Sequence, residues 1–323
     1  MSTKKLTIGY VLDDTLDVAD GVQQAVIQIG EEMRSRGHDV HYITTKTQRK
    51  DLLNAHDIGK SIAVKFNGNS VRTPIHQSNK SIDALFRNVR FDVLHVQMPF
   101  SPFFAAKVIR RAPKDVAIVG TFHILPYSGL AKFGTKVLGK TLHASLKRIQ
   151  KAYAVSEPAK QFMHDSFSLD GDVLGNPVDY TFYRSYKKGS KAEGETSIVF
   201  VGRFDERKGV KQLIKALEIV ELSTDRRIYT TMCGKGPLLD TVKDFAQKKS
   251  LNVEFPGFVD DKQKAQFLAS ADIAVFPSIS GESFGIVLTE AMSSGAGVTI
   301  GGNNPAYASV LHPWPETLFD ATK

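Results

Sequence analysis

The chain contains one cysteine, Cys233, in 323 residues, so no internal disulfide can form, which suits a reducing compartment. It has no run of 18 apolar residues, which excludes a membrane-spanning helix of ordinary length. The opening MSTKKLTIGYVLDD carries only a short apolar run broken by Asp13 and Asp14, unlike a signal peptide. The segment after the first predicted strand lacks G-x-G-x-x-G, which argues against a dinucleotide oxidoreductase. RNA-binding and zinc motifs, short internal repeats and low-complexity tracts are missing too, so the basic charge has no nucleic-acid motif beside it.

What is present is a globular composition, 42% hydrophobic and 24% charged, long enough for about two domains. The net charge of +8 is uneven. Residues 1–180 hold 24 Lys and Arg against 17 Asp and Glu, whereas residues 181–323 hold 18 against 17. The basic half points to an anionic partner, either a membrane surface or nucleic acid, or simply to a soluble basic surface.

Apolar runs and helical periodicities alternate along the chain. Strands are predicted at Leu6–Leu12, Val40–Thr44, Ile62–Phe66, Val93–Gln97, Val116–Phe122 and Ala152–Val155, with helices such as Gly21–Arg36 and Pro102–Arg111 between them. A second series runs through SIVFVG, a helix at Gly209–Glu221, RIYTTMCG, a helix from Leu238, NVEFPGF and ADIAVFPS. This alternation predicts an α/β chain of two Rossmann-like domains facing each other across a cleft. The expected boundaries are 1–178, a polar turn-rich linker at 179–196, and 197–323.

The richest stretch is GESFGIVLTEAMSSG, which sets Glu282 in a loop and Glu290 eight residues on, about two helical turns further. Two carboxylates near a helix start suit a ligand that is anionic at one point and hydroxylated around it, such as a nucleotide sugar. Taken alone, they are as readily two solvated carboxylates. In VGRFDERKG, Arg203 and Lys208 stand beside a helix start, where cations are disfavoured unless an anion binds; together they suit a diphosphate. Gly21, opening the first helix, allows backbone to approach a phosphate, though one glycine also serves a plain turn. His123 closes the fifth strand and could bond a sugar hydroxyl or exchange a proton, or be structural. Gly234-x-Gly236 is half a fingerprint. Leu130–Lys151 holds six Lys and Arg and no acid, with Lys132, Lys136 and Lys140 gathering opposite an apolar stripe. Such a helix can lie on an anionic bilayer, or pack its apolar face on the sheet, and Gly134 and Gly139 could split it.

Taken in order, a glycine turn after strand one, FDVLH, TFH, AVS, GNPVD, GRFDERKG, FPGFVDD and GESFGIVLTEAMSSG resemble family 4 of the retaining glycosyltransferases, which have the GT-B fold. The resemblance spans nearly the whole chain and is strongest to the bacterial phosphatidylinositol mannosyltransferases, which carry DEPRKG and GESFGIVLVEAM. It implies that Arg203 and Lys208 hold the donor diphosphate, aided by Gly21. Glu282 would take donor sugar hydroxyls and Glu290 the ribose, with His123 beside the reacting sugar. Val259, Asp261 and Lys264 match a stretch that contacts guanine, and Gly234, Ser283, Phe284, Gly285 and Ile286 match donor-binding positions. Arg72 matches a residue implicated in lipid headgroup contact. The donor would be a nucleotide sugar, GDP-mannose favoured over UDP-sugars, and the acceptor a lipid or glycolipid. No cofactor or metal is implied, because the basic side chains take the cation's place. The chain would work in the cytoplasm, peripherally on the inner face of the cell membrane. A non-catalytic nucleotide-sugar binder is the alternative.

Two departures are visible. Asp20-Gly21 stands where the family has Gly-Gly, and Asp14 stands where the inositol-lipid enzymes have an aromatic residue, which argues against phosphatidylinositol as acceptor. Relatives usually continue past the position of Lys323, so the sequence predicts an early end.

Overall fold

A computed structural model of the chain describes residues 4–17, 20–66, 69–76, 78–123, 129–186, 189 and 194–323, with backbone alone for 60–66, 69–76, 129–133, 136 and 137. The chain divides into two compact units, Met1–Pro177 and Val178–Lys323.

The first unit is built on β1 (Thr7–Leu12), α1 (Gly21–Ser35), β2 (Asp39–Thr44), β3 (Ala55–Asp57), β4 (Lys60–Phe66), β5 (Asn69–His76), α2 (Asn79–Asn88), β6 (Val93–Gln97), α3 (Ala105–Arg111), β7 (Ala117–Phe122), α4 (Gly129–Leu146), β8 (Lys151–Ala154), α5 (Glu157–Phe167) and β9 (Asp172–Val173). Seven strands form one parallel sheet in the order β3-β2-β1-β6-β7-β8-β9. The inner strands read as near-continuous apolar runs because helices cover both faces of such a sheet. Val11, Ile43, Leu94, Val96 and Ile118 are wholly buried as a result. Strand order reverses between β1 and β6, which is where open α/β sheets bind ligands.

Two sequence expectations change here. The strand predicted at Ile62–Phe66 lies outside the parallel sheet: it belongs to β4, which pairs antiparallel with β5 in a separate two-stranded sheet. The basic helix is continuous through Gly134 and Gly139. Gly139 serves close packing, since a Cβ there would come within 2.4 Å of the Ser166 carbonyl oxygen on α5. Leu142 and Leu146, part of the apolar stripe, are buried in the unit's own core, while Lys140 is exposed. The side chains of Lys132 and Lys136, and that of Arg72 on β5, lie outside the described residues. Among the described residues, no helix is long and apolar enough to cross a membrane.

The second unit contains α6 (Tyr180–Arg184), β10 (Glu195–Val201), α7 (Val210–Leu222), β11 (Arg227–Cys233), α8 (Leu239–Lys248), β12 (Val253–Gly257), α9 (Asp261–Ser270), β13 (Ile273–Phe276), α10 (Ile286–Ser294), β14 (Val298–Gly302), α11 (Pro305–Leu311) and β15 (Leu318–Phe319). Its parallel sheet runs β12-β11-β10-β13-β14-β15, with the reversal between β10 and β13. Asp260 and Gln263 close a capping box that starts α9. Glycines with positive φ, Gly285 and Gly295, bound α10 at both ends. Residues 180–184, read from sequence as linker, form a helix of this unit, and Tyr183 is buried in its core.

Candidate active site

The loops that follow β10 and β13 are neighbours because those strands pair at the reversal point. After β10, Asp205 caps a single 3-10 turn, Glu206–Lys208, by accepting from the Lys208 N–H at 3.2 Å. The loop after β13 is stitched to that turn. The Ile279 N–H donates to the Arg207 carbonyl at 2.8 Å, and Arg207 Nη1 donates to the Gly281 carbonyl at 3.0 Å. Between them stands a charged pair: Lys208 Nζ lies 2.5 Å from Glu282 Oε1. Ser278 Oγ donates to the same oxygen at 2.8 Å, and Tyr307 Oη donates to Ser278 Oγ at 3.3 Å. The Lys208 and Glu282 side chains are only 17% and 11% exposed. Burial opposes the charged carboxylate, but Lys208, the Ser278 hydroxyl and Arg207 outweigh it and hold the Glu282 pKa below the usual range.

Glu290 lies within α10, a little more than one turn from its start, because the helix opens only at Ile286. It is 4% exposed. Its Oε1 accepts from Lys264 Nζ at 2.7 Å and from Tyr183 Oη at 2.8 Å. Lys264 also reaches Asp261 at 3.1 Å. Its ammonium, placed from sequence at the base of the nucleotide, is therefore engaged with the second Glu. Val259 is half-buried at the lead-in to α9, and Asp261, its first residue, is exposed.

The remaining sequence candidates of this unit lie in the loops after β10, β11 and β13. Arg203 sits in the loop after β10, half-exposed, with Nε 3.5 Å from Asp205 Oδ2. Gly234 follows β11 directly with φ +139°, and a Cβ there would meet the Gly202 carbonyl oxygen at 1.8 Å, so this approach of two backbones requires glycine. Ser283, Phe284 and Gly285 lead into Ile286, and a Cβ on Gly285 would lie 2.3 Å from the Tyr307 ring. The first-turn N–H groups of α10 follow directly, and such groups attract anions.

In the first unit, Gly21 is the first residue of α1, behind the N-cap Asp20. His123 follows the end of β7 and is buried. Its Nε2 lies 2.7 Å from Gln97 Oε1, so Nε2–H donates there. Burial, with His95 as a second cause, lowers its pKa to about 3, so the ring is a neutral acceptor through Nδ1, which has no partner among the described residues. An acid role for this His is thereby disfavoured near neutral pH. Asp13, one residue past β1, accepts from the Ala105 N–H at 2.9 Å through Oδ1, while Oδ2 has no partner among the described residues. Burial, with the nearby Asp14 charge and against the Ala105 bond, raises its pKa from 3.8 to about 8.

Asp13 gives a direct test. A carboxyl whose folded pKa is raised binds its proton more tightly when folded. Its cost to stability is absent below the unfolded pKa, grows as pH rises, and is complete above the folded one. Asp13→Asn keeps an oxygen for Ala105 and removes the charge. It is expected to raise the melting temperature most at about pH 9, by less at about pH 5, and little at about pH 3. An equal shift at all three pH values would show that Asp13 does not titrate as placed.

The match to known proteins bears on both units. The description "Glycosyltransferase Family 4" matches residues 19–182, and "Glycosyl transferases group 1" matches residues 184–318. The chain belongs to these glycosyltransferases. It is similar to a "Phosphatidyl-myo-inositol mannosyltransferase" of Mycobacterium tuberculosis, 30% identical over 312 residues, covering 95% of this chain and 80% of the relative. The counterpart of the same name from Propionibacterium freudenreichii is 29% identical, over 95% of this chain and 79% of that protein. Among solved structures, a glycosyltransferase from Rickettsia africae superposes with a TM-score of 0.68 at 18% identity, over 95% of this chain and 81% of that one. Two parallel-sheet α/β units and these neighbours give the glycosyltransferase the GT-B fold.

Several residues that shape this glycosyltransferase's candidate site carry no strong signal in the sequence. Ser278 ends the FPS of a buried run, Tyr307 is an ordinary helical aromatic, and Tyr183 falls in a polar linker pattern. Arg207 was overshadowed by Lys208, although R-K-G could have flagged both.

Proposed function

We propose that this glycosyltransferase moves a hexose, mannose favoured, from a nucleotide sugar, GDP-mannose favoured, to a lipid or glycolipid acceptor at an anionic membrane surface. The observation that carries the reading is the Lys208–Glu282 pair at the strand reversal of the second unit. There, fixed cations stand where a leaving diphosphate develops charge, which is the largest single source of stabilisation available to such a transfer. Arg203 and Lys208 take the diphosphate, and Glu282 takes sugar hydroxyls. No cofactor or metal is needed in this reading, because the side-chain cations supply the countercharge. His123 serves as a neutral hydrogen-bond acceptor for a hydroxyl.

Transfer proceeds with retention. The bond from the anomeric carbon to the diphosphate oxygen breaks while the acceptor oxygen bonds the same face. The acceptor proton passes to the departing phosphate oxygen. Names of relatives that act on phosphatidyl-myo-inositol support an inositol lipid as acceptor, whereas Asp14 gives it an unaccustomed neighbour. The excess of basic residues in the first half, with exposed Lys140 on α4, supports an anionic surface and a cytoplasmic, peripheral location.

Calorimetry with GDP-mannose, UDP-glucose and UDP-N-acetylglucosamine, each with chelator and with magnesium, tests the donor. GDP-mannose is expected to bind with chelator present, and vesicles containing phosphatidylinositol to accept labelled mannose. Preference for a UDP-sugar would replace the donor, and strict magnesium dependence would replace the cation argument.

A further inference from the structure

The two carboxylates of the E-x7-E segment are held in the same way. Lys208 and Ser278 both donate to Oε1 of Glu282, at 2.5 and 2.8 Å. Lys264 and Tyr183 both donate to Oε1 of Glu290, at 2.7 and 2.8 Å. Each clamp is one ammonium and one hydroxyl on a single oxygen, and in each Oε2 takes neither bond. One clamp is accounted for by the diphosphate reading. The other contains a residue with no assigned part, Tyr183.

Tyr183 is 2% exposed and touches both other members of its clamp. Its hydroxyl meets Glu290, and the Lys264 ammonium lies 5.6 Å from its ring centroid. Its own position is fixed twice over. Asp179 caps α6 by accepting from the Phe182 N–H at 2.8 Å, and the Phe182 ring packs edge-on at 5.2 Å. A lysine alone is a mobile point charge on a four-carbon stem and would not choose between carboxylate rotamers. A buried phenol with two side-chain torsions does choose. Burial, then the Glu290 charge, pushes the Tyr183 pKa far up, so it remains a donor.

We propose that Tyr183 is a positioning residue for the nucleoside end of the donor site: it pins Oε1 of Glu290 so that Oε2 is presented to the vicinal hydroxyls of a ribose. This rests on the reading of Glu290 as the ribose acceptor. It makes the discrimination between ribose and deoxyribose a property of the short helix that opens the second unit.

The test compares GDP and UDP with their 2′,3′-dideoxy forms by calorimetry on the full chain, for the parent, Y183F and E290Q. The parent is expected to prefer the ribonucleotides. Y183F is expected to weaken ribonucleotide binding about tenfold while leaving the dideoxy forms unchanged, so the ratio collapses. E290Q should collapse it as well, and the double variant should add little to either. A merely structural role for Tyr183 would weaken both ligands alike and leave the ratio intact. If the ratio collapses in E290Q but persists in Y183F, the ribose reading stands and the role of Tyr183 is overturned. A ratio near one in the parent, no binding of any probe, or a ratio untouched in E290Q overturns the ribose reading and this proposal with it.

Discussion

Lys208→Ala is expected to lower the transfer rate by about 10²–10³-fold, the usual cost of removing one preorganised group that meets developing charge. The same substitution leaves Glu282, 11% exposed, with a hydroxyl and a more distant guanidinium as its compensation. Breaking a buried pair on one side costs about 3–5 kcal/mol, because the remaining charge stays desolvated. The loss has a pH signature. Glu282 has a folded pKa held below its ordinary 4.5, so it contributes stability above that value and loses it as pH falls through the folded pKa. The stability gap between parent and Lys208→Ala is therefore expected to be widest near neutral pH and to narrow in acid. Melting temperatures from about pH 4 to 8 would show this, alongside steady-state transfer. Transfer within about threefold of the parent would remove Lys208 from the site.

Gly209→Ala is expected to fail earlier, at the level of the fold. Gly209 joins the 3-10 turn to α7 with φ +68°, where an L-residue costs about 1–2 kcal/mol. The added Cβ would also sit 2.0 Å from the Pro277 carbonyl oxygen, which is backbone and has no rotamer to yield. The total is expected to exceed about 4 kcal/mol. Thermal unfolding of the second unit should then fall by on the order of 10 °C or more. The two substitutions separate chemistry from scaffold. Lys208→Ala keeps the contact between the loops, through Arg207 and Ile279, and loses the cation. Gly209→Ala keeps the cation and forces the loops apart. A melting curve like the parent's would show that the turn can shift away from Pro277.

Much of this was legible one residue at a time. Runs such as IVFV and IAVF announced buried parallel strands, and their alternation with helical periodicity gave the fold class, because a parallel connection needs a crossover helix. Lys208, Glu282 and Glu290 could be singled out as candidates because charges in and around the loops that open helices are informative. The β4–β5 hairpin was misread as part of the main sheet, since a short apolar run carries no record of which strand will pair with it. The basic helix was open to two readings in the sequence, and Leu142 and Leu146 turn out to be buried. An apolar stripe looks the same whether it meets a bilayer or a core.

The sequence by itself determined the two α/β halves, their alternation of strand and helix, and the identity of the charged groups, because periodicity and residue type act locally. Only the tertiary structure decided which groups meet. Strand reversal brought the loop after β10 against the loop after β13, and with it Lys208 onto Glu282 across 74 positions of sequence. The same folding carried Tyr183 to Glu290 across 107 positions. A hydrogen bond of that separation depends on the packing of whole elements, α6 and α9 upon α10, and no local pattern encodes it.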